Sequence, residues 1–160
     1  MTKEVKTAKS ICESLINQEL TDIQQHINEI IKNLNDKIYK NKKTSPLLQL
    51  SIKNYQYFSN DDTGTGTQYK NMLLLDLALF TLTKLPILIH DSVLFKNVEF
   101  EVMDHIIEIY DSFQDKQIFI ATDALQNYSK SNQNLIKEKM VISLAKDNEL
   151  YGRSWSNIHN

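Results

Sequence analysis

Residues able to do chemistry concentrate in two short stretches. The first is the polar loop Asp61-Asp62-Thr63-Gly64-Thr65-Gly66-Thr67-Gln68, which holds two of the chain's three glycines. Glycine lets backbone N–H groups approach a phosphate closely, and a helix starting directly behind such a loop adds a partial positive charge. The second is Ile87-Leu88-Ile89-His90-Asp91-Ser92, an apolar run that ends on an acid. A carboxylate at the C-terminal edge of a parallel strand faces the crevice where such sheets bind ligands. Thr122-Asp123, after a second apolar run, falls at the same edge. Loop, helix, strand and acid in this order is an arrangement that nucleotide-binding α/β domains use, although a Gly-Thr-Gly turn ahead of a helix also serves simply as a turn.

The elements that must position these residues follow from periodicity. Ile16, Leu20, Ile23, Ile27, Ile30 and Leu34 alternate in steps of four and three, the spacing of a heptad seam, within a helical pattern from about Val5 to Lys40. Lys37, Lys40, Lys42 and Lys43 suit a helix C-terminus, where cations complement the dipole, and a contact with a DNA backbone is the sharper alternative. Ser45-Pro46 ends the helix. Leu47 to Ile52 and Asn54 to Phe58 alternate apolar and polar residues, and predict two strands or one bent strand at a sheet edge. Gln68 to Thr83 is apolar on so many sides that a helix here must be covered on more than one, with Asp76 in its middle as a cap partner or paired acid. Ile87 to His90 and Gln117 to Ala121 read as strands buried on both faces, separated by an amphipathic helix from Glu99 to Phe113. Its inward set is Val102, Ile106, Ile109, Tyr110 and Phe113. Met140 to Leu144 predicts a final strand, and a polar tail with Trp155 follows. The order argues for an α/β fold with a parallel sheet.

The totals bound the rest. At 160 residues the chain suits one domain, and a net charge of −2 gives no overall basic character. Cys12 is the single cysteine, which excludes an internal disulfide and fits a reducing compartment. Met1 to Ser10 lacks the apolar core of a signal peptide, and no run reaches membrane-spanning length. The expectation is a soluble cytoplasmic protein that does not enter a membrane.

The phrases Gly64-Thr65-Gly66-Thr67-Gln68-Tyr69-Lys70-Asn71 and Leu85-Pro86-Ile87-Leu88-Ile89-His90-Asp91-Ser92 resemble the C-terminal lobe of an ABC-type ATPase head. The likeness is to the SMC-like kind (structural maintenance of chromosomes and its DNA-repair relatives). More narrowly, it is to a bacterial family of C-terminal domains that close such ATPases. It covers about Leu20 to Leu144. The resemblance implies a partial P-loop NTPase-like parallel sheet with flanking helices, behind an N-terminal coiled-coil-like helix that is the returning end of an arm. It divides the chain into a helical arm (1–44), an ABC-type lobe (45–148) and a polar tail (149–160).

Carried over by position, Gly64, Thr65, Gly66, Thr67 and Gln68 look like the signature loop, facing the γ-phosphate of ATP held by a partner. Ile87 to Asp91 looks like the Walker B strand, with Asp91 turned toward Mg²⁺ through water. Val93 to Val98 falls where the D-loop would be. Gln117 to Asp123 resembles the strand bearing the switch histidine. The departures are specific. No G-x-x-x-x-G-K-[ST] occurs, so the phosphate-cradling loop and its lysine are missing. Ser92 stands where such ATPases keep the glutamate that polarises water, and Thr122-Asp123 replaces the switch histidine. His90 could assist catalysis, or be a hydrogen-bonded core residue. The resemblance therefore implies ATP and Mg²⁺ bound only with a Walker A-bearing N-terminal lobe or a homologous ATPase chain, in a machine acting on DNA in repair or phage defence. A different expectation is a non-catalytic interaction or regulatory module, a homodimer joined through the N-terminal heptads. A third is a small metal-dependent hydrolase using Asp91, Asp123 and His90.

Overall fold

The N-terminal helix sets the frame. In the computed structural model, which describes residues 3–60, 63–145 and 148–152, helix α1 runs without a break over Lys3–Tyr39. At about 1.5 Å per residue its 37 residues extend about 55 Å. No glycine or proline interrupts it. It stops where Lys40 and Asn41 turn to φ 51° and 62°, a left-handed pair that closes the last turn with the Lys40 N–H on the Asp36 carbonyl. Only the C-terminal third of α1 is covered. Ile27, Ile31, Leu34 and Ile38 are buried, whereas Ile16 and Ile23 of the expected seam are exposed. The buried stripe takes Ile31 in place of Ile30, following the face of a single helix against a lobe.

Strands β1 (Leu47–Leu50) and β2 (Tyr55–Phe58) form an antiparallel hairpin that pairs Leu47 with Phe58 and Leu50 with Tyr55. The outer edge of β1 is closed by α1 rather than by another strand. The Asn28 amide donates to the Leu48 carbonyl at 2.9 Å and accepts from the Leu48 N–H at 2.8 Å. Gln24 accepts from the Leu50 N–H at 2.7 Å. Two side chains on one helix face thus do for β1 what a neighbouring strand would. The hairpin is a sheet of its own, separate from the parallel pair.

Helix α2 (Thr65–Leu82) is the apolar centre, with Leu73, Leu74, Leu77, Ala78 and Phe80 buried. Its last carbonyls are held by Lys116, whose ammonium donates to Phe80 O and to Thr83 O and lies 4.5 Å from the centre of the Phe80 ring. Strand β3 (Ile87–His90) leads through the short helix α3 (Ser92–Phe95) and helix α4 (Phe100–Asp111) to β4 (Gln117–Ile120), which pairs with β3 in parallel. A parallel pair needs such a crossover. The inward set predicted for α4 holds: Val102, Ile106, Ile109 and Tyr110 are buried and Phe113 is half-buried, its ring 5.2 Å from that of Phe80.

Two strand expectations are corrected. Neither β3 nor β4 is buried on both faces: Leu88, His90, Ile118 and Ile120 are at least half-covered, but Ile87, Ile89 and Phe119 on the other face are exposed, Ile89 at 73%. This sheet has two strands, and His90 turns from it toward α2 and α4 on one side. Met140 to Leu144 belongs to no ladder. It lies in a second unit from Ala124 onward, made of a 3-10 turn (Leu125–Asn127) and helix α5 (Lys130–Lys139), which Ser129 caps by accepting from the Asn132 N–H. Val141 and Ile142 project into solvent, and Ala145 and Asn148 exchange the two backbone bonds of a hairpin seed. Asp61-Asp62 of the polar loop and Trp155 lie outside the described residues.

The architecture is a mixed α/β fold with a long N-terminal helix and two small sheets. Among the described residues no helix is long and apolar enough to cross a membrane.

Candidate functional site

The glycine-containing loop becomes the first turn of a helix. Gly64 is the N-cap of α2 at φ −58° and ψ 149°, and Thr65, Gly66, Thr67 and Gln68 are already helical. The Gln68 N–H closes that turn on the Gly64 carbonyl at 3.0 Å, while the Gln68 amide donates to the Thr63 carbonyl at 3.1 Å. The amides of Thr65, Gly66 and Thr67 precede the first intrahelical donor, at the positive end of an 18-residue helix. Gly66 is required by close approach: a Cβ built on it would lie 2.6 Å from the carbonyl oxygen of Asn97. The segment after α3 therefore rests on the start of α2, and both stand at the end of the lobe where β3 runs out.

A cleft of ≈ 220 Å³ opens beside this turn, with Gly66, Thr67 and Lys70 of α2 on one side, Tyr39 and Lys43 on another, and Glu99 at its rim. Both lysines lean on one ring, Lys43 Nζ at 4.7 Å and Lys70 Nζ at 5.3 Å from the Tyr39 centroid. Lys70 is buried and donates to Asn35 Oδ1 at 3.3 Å, tying α2 to α1.

At the edge of the parallel pair, Asp91 is exposed and caps α3, its Oδ1 accepting from the Ser92 N–H at 2.6 Å. Asp123, just beyond β4, is bound by Lys96 at 2.6 Å. That hydrogen bond, and then the lysine's charge, hold the Asp123 carboxyl below its usual range despite some desolvation. The same bond and the charges of Asp123 and Asp91 raise Lys96. The two acids picked from the sequence thus stand around one lysine, for which no spacing signal exists. Ser92 opens α3 and contributes its backbone to the cap.

His90 faces the other way. Its ring is 3% exposed, with Nε2 3.2 Å from Asp76 Oδ2 on α2 and Nδ1 2.6 Å from Tyr110 Oη on α4. Both contacts are satisfied when Nε2–H donates to the carboxylate and Nδ1 accepts from the phenol. Asp76, expected from its place inside an apolar run to be a cap partner or a paired acid, is paired with His90. Its charge, after burial, is the second cause that drives the Tyr57 hydroxyl well above the ordinary tyrosine range, and that hydroxyl donates to the Asn71 carbonyl at 2.8 Å. His90, Asp91 and Asp123 therefore do not converge on one point. Among the described residues no three His, Cys, Asp or Glu side chains form a group that could hold a metal ion.

Compared with known proteins, residues 23–155 match the model of the family DUF2326, described as an uncharacterised protein conserved in bacteria. A comparison with curated proteins finds no match.

Proposed function

The chain belongs to this uncharacterised bacterial family, and we propose that it acts as the C-terminal half of an SMC-like ATPase head, completing a nucleotide site begun by another lobe. The observation that carries this reading is the unfinished parallel sheet. Parallel pairs are stable when helices cover both faces, yet β3 and β4 leave Ile87, Ile89 and Phe119 open to solvent. A lobe that adds strands and covering helices would bury them.

In this reading the first-turn amides of α2, with the Thr65 and Thr67 hydroxyls beside them, receive phosphate oxygens at the helix's positive end. Asp91, exposed at the sheet edge, would help to hold the Mg²⁺ that accompanies the nucleotide. ATP and Mg²⁺, held chiefly by the partner lobe, supply the reacting phosphoryl group and its charge neutralisation. This chain brings no phosphate-loop lysine, and Ser92 cannot act as the base that a glutamate would be, so turnover depends on the partner. By resemblance to SMC-like machines, the assembly would act on DNA, in repair or in defence against foreign DNA.

The test is to mix the chain with a candidate N-terminal lobe bearing G-x-x-x-x-G-K-[ST] and measure ATP turnover and association. Stable pairing that buries β3 and β4 is expected. Absence of both pairing and turnover would sink the proposal.

A second reading is favoured by α1. Val5, Ile11, Leu15, Ile16 and Ile23 are exposed along this 37-residue helix, which suits a non-catalytic module that dimerises through it. Ile16→Asp with Ile23→Asp would then convert a dimer to a monomer in sedimentation, with no nucleotide required.

A further inference from the structure

We infer that His90 is a positioning residue: one buried imidazole fastens the middle of α2 and the end of α4 to the last residue of β3, and so sets where Asp91 stands relative to the first turn of α2. The inference rests on the reading above in giving those two places a shared task, and adds to it a positioning role for His90 through Asp76 and Tyr110.

The geometry is a three-way joint. The His90 backbone is fixed in the parallel ladder opposite Ile120, its carbonyl accepting from the Ala121 N–H at 3.0 Å. Its ring reaches Asp76 Oδ2 at 3.2 Å and Tyr110 Oη at 2.6 Å, on two different helices. The rings of Tyr110 and Phe95 lie around it at centroid distances of 5.8 and 6.5 Å. A leucine would fill the same place in a strand of this pattern. What imidazole adds is a polar atom on each side, which an apolar residue cannot offer.

Asp76 follows Gly66 by ten residues on one helix, about 15 Å along its axis. A helix moves as a body, so a shift of the first turn displaces Asp76, and the Asp76–His90 bond passes that shift to the residue before Asp91. Asp91 in turn holds α3 through the Ser92 N–H at 2.6 Å and the Leu94 N–H at 3.0 Å. The side chain of Asp76 is 40% exposed, so it can be cut back without opening the buried face of Leu73, Leu74, Leu77 and Ala78.

The experiment reads amide hydrogen exchange in the chain itself, without nucleotide. Asp76→Ala should speed exchange at Ser92, Leu94 and Lys96 by about tenfold, with the buried turns of α2 and α4 unchanged. Asp76→Asn, which keeps a carbonyl acceptor for Nε2–H, should restore slow exchange. A core histidine without a positioning role predicts otherwise: either no change at Ser92, or the same acceleration at every amide of α2, α3 and α4. Either result overturns the inference, and so does failure of Asp76→Asn to restore the wild-type rates. These outcomes are separate from those of the proposed ATPase role. Loss of turnover with a partner lobe would leave the joint standing, and a failed joint with turnover intact would remove His90 alone.

Discussion

The α-carbon of Gly66 faces the backbone carbonyl of Asn97 so closely that a methyl group on it would stand 2.6 Å from that oxygen. The start of α2 and the segment behind α3 are thus in backbone contact, and only glycine permits it. The reason is space and not dihedral freedom, because Gly66 is already in the helix. Gly66→Ala should destabilise the fold by about 1–3 kcal/mol through forced displacement of the Asn97 backbone, visible as a lowered melting midpoint. Gly66→Arg should also abolish nucleotide-dependent pairing with a Walker A-bearing lobe. An unchanged midpoint for the alanine variant would remove the close-approach argument.

Asn28 tests how the hairpin is held. It both donates to and accepts from the backbone of Leu48, so Asn28→Ala strips two bonds from one strand edge. Equilibrium urea unfolding should show a loss of about 1–3 kcal/mol, while Asn33→Ala, at an exposed position on the same helix, should change little.

Tyr57 gives a pH dependence. Its folded pKa is raised above the ordinary 10.0 by burial and by the charge of Asp76. A raised pKa means the folded state keeps the phenol proton more tightly than the unfolded chain. The associated stability is therefore complete below 10.0 and declines as pH climbs toward the folded value. The difference in ultraviolet titration between this chain and Tyr57→Phe should place the Tyr57 step above the ordinary tyrosine range, and Asp76→Asn should bring it partway back. Ionisation together with Tyr55, which is exposed, would contradict the burial argument.

Lys96 and Asp123 give the opposite sign. Asp123 is depressed below 3.8 by the lysine's hydrogen bond and charge, so the contribution of the pair is present above that value and is lost as pH falls through the folded pKa. Both side chains are well exposed, and salt should weaken the effect. Carbon-detected titration of Lys96→Met should return Asp123 to an ordinary carboxylate. An identical titration in the two proteins would show that the pair does not persist in solution.

The missing phosphate loop gives a direct binding experiment. Calorimetry of the chain alone with ATP and Mg²⁺ should detect no micromolar binding, since the sequence holds no G-x-x-x-x-G-K-[ST] loop to cradle the phosphates. Micromolar affinity would place a complete site within this chain.

Local pattern determined much of this protein. The unbroken run from Val5, the turn at Ser45-Pro46, the apolar block around Leu77 and the two runs ending at His90 and Ile120 each carry a period or a breaker that acts over a few residues. Those elements formed where the pattern puts them. The inward face of α4 was equally legible, because Val102, Ile106 and Ile109 repeat at helical spacing against one core. Tertiary structure decided what each element meets. Ile87 and Ile89 have the composition of a strand covered twice, and only the fold shows one face open. Met140 to Leu144 has strand composition, but a strand exists only where another offers its hydrogen bonds. Lys96 and Asn97 carried no spacing signal, and Tyr110 was marked only as an inward residue of α4, not as a partner of His90, since Asp123, Gly66 and His90 lie far off in sequence. Short-range periodicity fixes the dihedrals of a segment, whereas contacts between distant segments depend on how all of them pack at once.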